Sequence, residues 1–256
     1  MHKSLHKVFL LMGKSNFLIF HRITKEQPSE WSDVSVDNFN KILTALEEQG
    51  LISACVNEWR NINNRNFVLT FDDGYLSDFD LVMPTLEKRK MKGTFFISPI
   101  NVGKVGFMTK EHILTLSEMG MEIGSHSYSH KYLTTLPENE IKRELSDSKA
   151  FLEDILSKNV NSFAYPYGDY NRKTNEFARE LGYSNICTSV PGLNSTQSRI
   201  LKRNSIHSRN SEQNLSNIAN PSFLASFKSM LGYRFREALK KSLGTSNYLK
   251  LKKLLN

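Results

Sequence analysis

From residue 17 onward, short apolar runs alternate with amphipathic stretches of helical period, and few folds accommodate that alternation. It is the pattern of βα units wound into a parallel sheet or barrel. The expected strands cover 17–21, 67–71, 93–97, 121–124, 162–165, 184–188 and 200–205. Between them, Phe39, Ile42, Leu43 and Leu46 fall at i, i+3, i+4 and i+7 in a helix over 36–49, with Ser35 placed to start it and Gly50 to end it. Further helices are expected over 76–89, 110–119, 137–156 and 172–181. A chain of 256 residues suits one α/β barrel or two small domains, and seven strands favour the barrel.

Three strand ends carry chemistry. The first reads Leu69-Thr70-Phe71-Asp72-Asp73-Gly74, an apolar run that stops in two adjacent carboxylates. Neighbouring strand residues face opposite ways, so both acids reach one site only where the chain leaves the strand, a turn that Gly74 permits. A solvated Asp-Asp-Gly turn is the plainer alternative. The second is His126-Ser127-Tyr128-Ser129-His130, whose histidines four apart would stack on one face of a helical turn and could share a metal. The third is Tyr165-Pro166-Tyr167-Gly168, a turn able to aim a backbone N–H at a developing oxyanion and to offer a sugar an aromatic wall. Together, the first two segments supply two nitrogens and one carboxylate oxygen with a coordination position left open, and a second carboxylate beside them as base.

In order and spacing, from about residue 17 to 209, these segments resemble the polysaccharide deacetylases of carbohydrate esterase family four. The resemblance implies a distorted seven-stranded (β/α) barrel and a divalent metal, expected to be zinc. It assigns Asp72 as base, Asp73, His126 and His130 as metal ligands, and the Tyr167 backbone N–H, after Pro166, to the oxyanion. Many members carry an arginine in the third segment that orients the base, whereas this chain has Phe163-Ala164-Tyr165 there. The family's fourth and fifth motifs are also missing from their usual places. These departures resemble a circularly permuted subgroup, the poly-N-acetylglucosamine deacetylases, in which the acid histidine comes early. Ile19-Phe20-His21-Arg22 looks like that segment, which makes His21 the candidate general acid and His207 its rival.

The expected activity is hydrolysis of the N-acetyl group of an N-acetylhexosamine unit in a polysaccharide or glycan precursor. An O-acetyl esterase, a non-sugar amidase and an inactive sugar-binding barrel are the alternatives. Of the net charge of +8, most resides in residues 228–256, where eight Lys/Arg face the single acid Glu237. The barrel is therefore expected over 1–209 and a basic helical extension over 210–256, serving either as a solvated cap or as a peripheral contact with an anionic membrane. Nucleic acid is not an expected partner, since no recognition motif accompanies the charge. The N-terminal apolar run is too short for a secretory core, and a cytoplasmic location is expected. Cys55 and Cys187 have no zinc-knuckle or disulfide spacing and are expected to be buried thiols.

Overall fold

A computed structural model of the protein describes residues 14–62 and 66–208, together with 230–235, 238–239, 242–244 and 247–248. The elements in chain order are β1 (Lys14–Phe20), β2 (Ile23–Thr24), β3 (Val34–Ser35), α1 (Val36–Glu47), β4 (Ile52–Ala54), β5 (Asn66–Asp73), α2 (Met83–Lys88), β6 (Thr94–Ile97), α3 (Lys110–Glu118), β7 (Glu122–Ser125), α4 (Glu138–Leu156), β8 (Ser162–Ala164), α5 (Arg172–Glu180), β9 (Asn185–Cys187), β10 (Leu193–Ser195) and β11 (Asn204–Ser205). Each expected strand and helix has a counterpart, but the strand expected over 200–205 is regular only at Asn204–Ser205, and the helix expected over 76–89 is a π-helical turn at Asp78–Val82 followed by α2.

Strands β1, β5, β6, β7, β8 and β9 pair in parallel in that order. Leu201 then bridges to Cys187, and three residues later β11 pairs with β1 through Leu18↔Asn204 and Ile19↔Ser205. The 201–205 stretch therefore closes the sheet into a distorted barrel of seven strands. Elements β2, β3, β4 and β10, of two or three residues each, were not expected, because a period of two cannot show itself over so short a run.

Alternation along each strand separates two cores. Phe17, Val68, Phe96, Ala164, Cys187 and Leu201 fill the lumen, while Leu18, Leu69, Phe71, Phe95, Phe163 and Ile186 belong to the larger cluster packed against the helices. On β5 the inward set is Val68, Thr70 and Asp72, so the strand's own period delivers Asp72 to the upper end of the lumen. Helix α1 starts where Ser35 accepts a hydrogen bond from the Asn38 N–H, and it buries Phe39, Ile42, Leu43 and Leu46. Both cysteines are free and buried.

Among the described residues no helix is long and apolar enough to cross a membrane. Most of the 210–256 extension, including Lys228, Arg236 and Lys250, lies outside them. Within the described piece at 230–235, Leu231 and Phe235 are exposed.

Candidate active site

Six described non-glycine residues adopt positive φ, and four of them are Asp73 (79°), Ser127 (57°), His130 (55°) and Tyr167 (59°). Each costs backbone energy that the surroundings must hold in place, and such residues gather at functional sites. All four lie in the three segments that end the strands β5, β7 and β8.

At the end of β5 the turn begins at Asp73 itself and continues through Gly74, also at φ 79°. A regular strand would send the Asp73 side chain away from Asp72; the left-handed backbone brings it back. Asp72 stays inward, and its carboxylate accepts a bidentate pair of hydrogen bonds from Arg203, 2.7 Å from Nη1 and 2.8 Å from Nη2. Arg203 is completely buried, donates also to Thr70 Oγ1 and the Thr188 carbonyl, and lies over the Phe96 ring. Burial on its own would raise the Asp72 pKa, but the Arg203 charge and its hydrogen bonds outweigh it, with help from His126, and hold the carboxyl below its usual range. Arg203 is not singled out by any motif in the sequence. The arginine absent from the third segment comes instead from the closing strand.

The histidine segment also differs from expectation. Residues 126–130 form no helical turn, and left-handed Ser127 and His130 bend a loop so that the two rings converge, with centroids 5.0 Å apart. Gly124 on the preceding strand has no room for a Cβ, which would meet the Phe96 ring at 2.6 Å. His126 is buried, its Nδ1 lying 2.8 Å from the Ala164 carbonyl. A carbonyl only accepts, so Nδ1 carries the proton. Burial, the largest influence, lowers the His126 pKa to about 4, and the neutral ring therefore turns a bare Nε2 lone pair inward.

That lone pair lies 3.5 Å from Asp73 Oδ1 and 3.8 Å from Asp72 Oδ2, and His130 Nε2 lies 3.0 Å from Asp73 Oδ1. Asp73 Oδ1 is buried with no hydrogen bond of good geometry. Burial works to raise the Asp73 pKa, yet the hydrogen-bonding contact with His130 and the positive charge of either imidazole when protonated hold it far below the usual carboxylate range. The ligand atoms of Asp73, His126 and His130 all lie within 4.8 Å of one another. Two imidazole nitrogens and a carboxylate oxygen converging in this way are the donor set of a divalent cation, and one carboxylate with two imidazoles suits zinc. His130 Nδ1, 3.1 Å from Tyr167 Oη, has the outer partner usual for a ligating imidazole.

The Pro166–Gly168 turn places Tyr167 half-exposed, its ring stacked on Tyr132 at 3.9 Å and 5°. Pro166 is buried beneath it. His21 follows β1, is half-buried, and encloses an Nδ1 with no hydrogen-bond partner. It lies near enough to Asp72 and Asp73 for its charge to act on both carboxyls. His207 lies against Trp31, with ring centroids 5.5 Å apart.

One further carboxyl belongs to this neighbourhood. Asp78 lies in a π-helical turn, Asp78–Val82, and is fully buried with neither oxygen hydrogen-bonded. Burial and the charges of Asp73 and Asp72 push its pKa well above the usual range, favouring the protonated form.

The sequence profile of the family described as "Polysaccharide deacetylase" matches residues 60–186. The Bacillus subtilis protein YxkH, assigned to polysaccharide deacetylases by name only, is 29% identical over 156 residues, which are 61% of this chain and 54% of that one. A peptidoglycan-N-acetylmuramic acid deacetylase of B. subtilis, PdaA, is 30% identical over 135 residues, 51% of this chain and 49% of its own. The chain thus spans about half the length of these curated relatives. Among solved structures, the Streptococcus pyogenes deacetylase PplD in complex with acetate superposes with a TM-score of 0.74 at 25% identity, covering 81% of this chain and 99% of that one.

Proposed function

Because the chain belongs to the polysaccharide deacetylase family, we propose that it is a metal-dependent carbohydrate N-deacetylase, hydrolysing the N-acetyl group of an N-acetylhexosamine unit in a glycan or glycan precursor. The observation that carries this reading is the division of labour between adjacent aspartates. Asp72 is occupied by the Arg203 fork, and Asp73 is turned to the two imidazoles. A sugar-binding barrel has no use for an ionised, arginine-held carboxylate beside a ligand cluster.

In this scheme Asp73, His126 and His130 hold a divalent ion, zinc by donor type. When bound, the ion supplies Lewis acidity, polarising the acetyl carbonyl and bringing the pKa of a water down towards about 7. Asp72, kept ionised by Arg203, takes the proton of the attacking water. The Tyr167 backbone N–H donates to the carbonyl oxygen as it gains charge. His21 protonates the departing sugar amine, and the Tyr167–Tyr132 stack gives the sugar ring an apolar face to lie against.

The test is acetate release from N-acetylglucosamine oligomers and from lipid-linked and nucleotide-linked N-acetylated sugars, with and without chelator and added zinc. Release that stops with chelator, returns with zinc, leaves a free amine and is lost in Asp72→Asn with metal still bound is the expected result. Turnover untouched by chelator, or sugar binding with no turnover on any substrate, would refute the reading.

A further inference from the structure

Helix α4 turns one face to the core, where Ile141, Leu145, Leu152 and Leu156 are buried as that periodicity requires. Two polar residues, Glu144 and Ser148, occupy positions on the same buried face. A buried polar side chain is costly unless it is hydrogen-bonded, so its partners show what it is for. Ser148 Oγ pairs with Ser125 Oγ at 2.8 Å, at the end of β7. Glu144 spends both oxygens on Ser129, with Oε2 accepting from the Ser129 N–H at 2.8 Å and Oε1 from the Ser129 hydroxyl. The Glu144 carbonyl also accepts from the Tyr128 N–H at 3.0 Å. Three bonds from one residue of α4 thus hold the two residues immediately before His130.

The two histidines are fixed in different ways. His126 is tied to the barrel, through its backbone N–H to the Ile97 carbonyl, its carbonyl to the Ser98 hydroxyl and its ring to the Ala164 carbonyl. The His130 ring is held by the Tyr167 hydroxyl at Nδ1 and by its fellow ligand Asp73 at Nε2, and its backbone is in a left-handed conformation at φ 55° that an unrestrained loop would relax. We infer that Glu144 is a positioning residue for the metal centre, clamping Ser129 so that His130 Nε2 stays within ligand distance of Asp73. This inference rests on the reading of Asp73, His126 and His130 as metal ligands.

The test measures zinc affinity directly, by competition with a chromogenic chelator, and needs no turnover. Removing outer supports of a ligating imidazole typically weakens affinity about ten- to a hundredfold. Glu144→Ala, which loses both side-chain bonds, is expected at the upper end. Ser129→Ala, which keeps the N–H bond, and Glu144→Gln, whose amide can still accept from that N–H, are expected at the lower end. Glu122→Gln is the control for a purely structural effect, since Glu122 accepts from Asn57, Thr94 and Ser162 near the start of β7. It is expected to lower the melting temperature and leave zinc affinity unchanged. Acetate release by the Glu144 variants should recover at saturating zinc, with KM for the glycan unchanged. Wild-type zinc affinity retained in both Ser129→Ala and Glu144→Gln would overturn the inference while leaving the proposed function standing. A wild-type protein that binds no divalent ion would overturn both.

Discussion

Arg203→Met replaces a buried guanidinium with an apolar side chain of similar length and leaves Asp72 buried without its partner. Asp72 is 3% exposed, and both of its oxygens are engaged by Arg203 at 2.7 and 2.8 Å. Breaking a buried pair from one side typically costs about 3–5 kcal/mol, because the surviving charge has neither water nor partner. The loss should depend on pH in a defined direction. In the native protein the Asp72 carboxyl titrates below its usual range, so its contribution to stability is present above that range and is lost as pH falls through the folded value. Without Arg203, burial is the dominant remaining influence and the folded pKa rises above the unfolded one. The variant then loses stability as pH increases. Urea unfolding at pH 4 and pH 7 should therefore show wild type and variant closer together at the acid end and furthest apart at neutrality. In the acetate-release assay a protonated base forfeits about a hundredfold or more at pH 7, since general-base catalysis is worth roughly 10²–10⁴-fold. The acid limb of the rate profile should move to higher pH. Arg203→Lys keeps the charge without the planar fork and should fall between the two. A variant within about 1 kcal/mol of wild type at pH 7, with its acid limb unmoved, would refute the assignment of Arg203 as the group that keeps Asp72 ionised.

Tyr167→Phe removes the hydroxyl 3.1 Å from His130 Nδ1 but keeps the backbone N–H and the stack on Tyr132. Zinc affinity should fall about tenfold, the low end for such supports because water can replace the phenol of a half-exposed residue, and kcat at saturating zinc should hold; the reverse split would assign the hydroxyl to chemistry. For Asp78, a folded pKa above the unfolded value means that its contribution is most favourable at low pH and lost as pH rises through the folded value. Asp78→Asn should therefore be more stable than wild type at neutral pH, with the gain vanishing in acid, and urea titrations at pH 3 and pH 8 that show no such divergence would count against a neutral Asp78.

The parts of this site that are legible in the sequence are those whose signal is local. Asp72 and Asp73 end β5, and His126, His130 and Tyr167 come within a few residues after β7 and β8, so the strand period with the residues at and after each strand end is enough to single them out. The helical turn expected over 126–130 is absent because a four-residue spacing cannot tell a helix from a loop with two left-handed residues, and the backbone there is set by tertiary bonds to Ile97, Ser98 and Glu144. Arg203 escapes a motif-based reading for a related reason, lying 131 residues from the carboxylate it holds, in a stretch with no motif of its own. The physics that hides these residues also leaves a trace of them. Leu201 and Arg203 share the inward face of the closing strand, and Glu144 falls on the helix face of Ile141, Leu145 and Leu152. A charged residue at a position reserved by periodicity for the core is costly enough that it must have a buried partner. Arg203 and Glu144 each violate the hydrophobic pattern of their own element in this way, and a chain tolerates such a conflict between local pattern and fold chiefly where a functional site needs the charge.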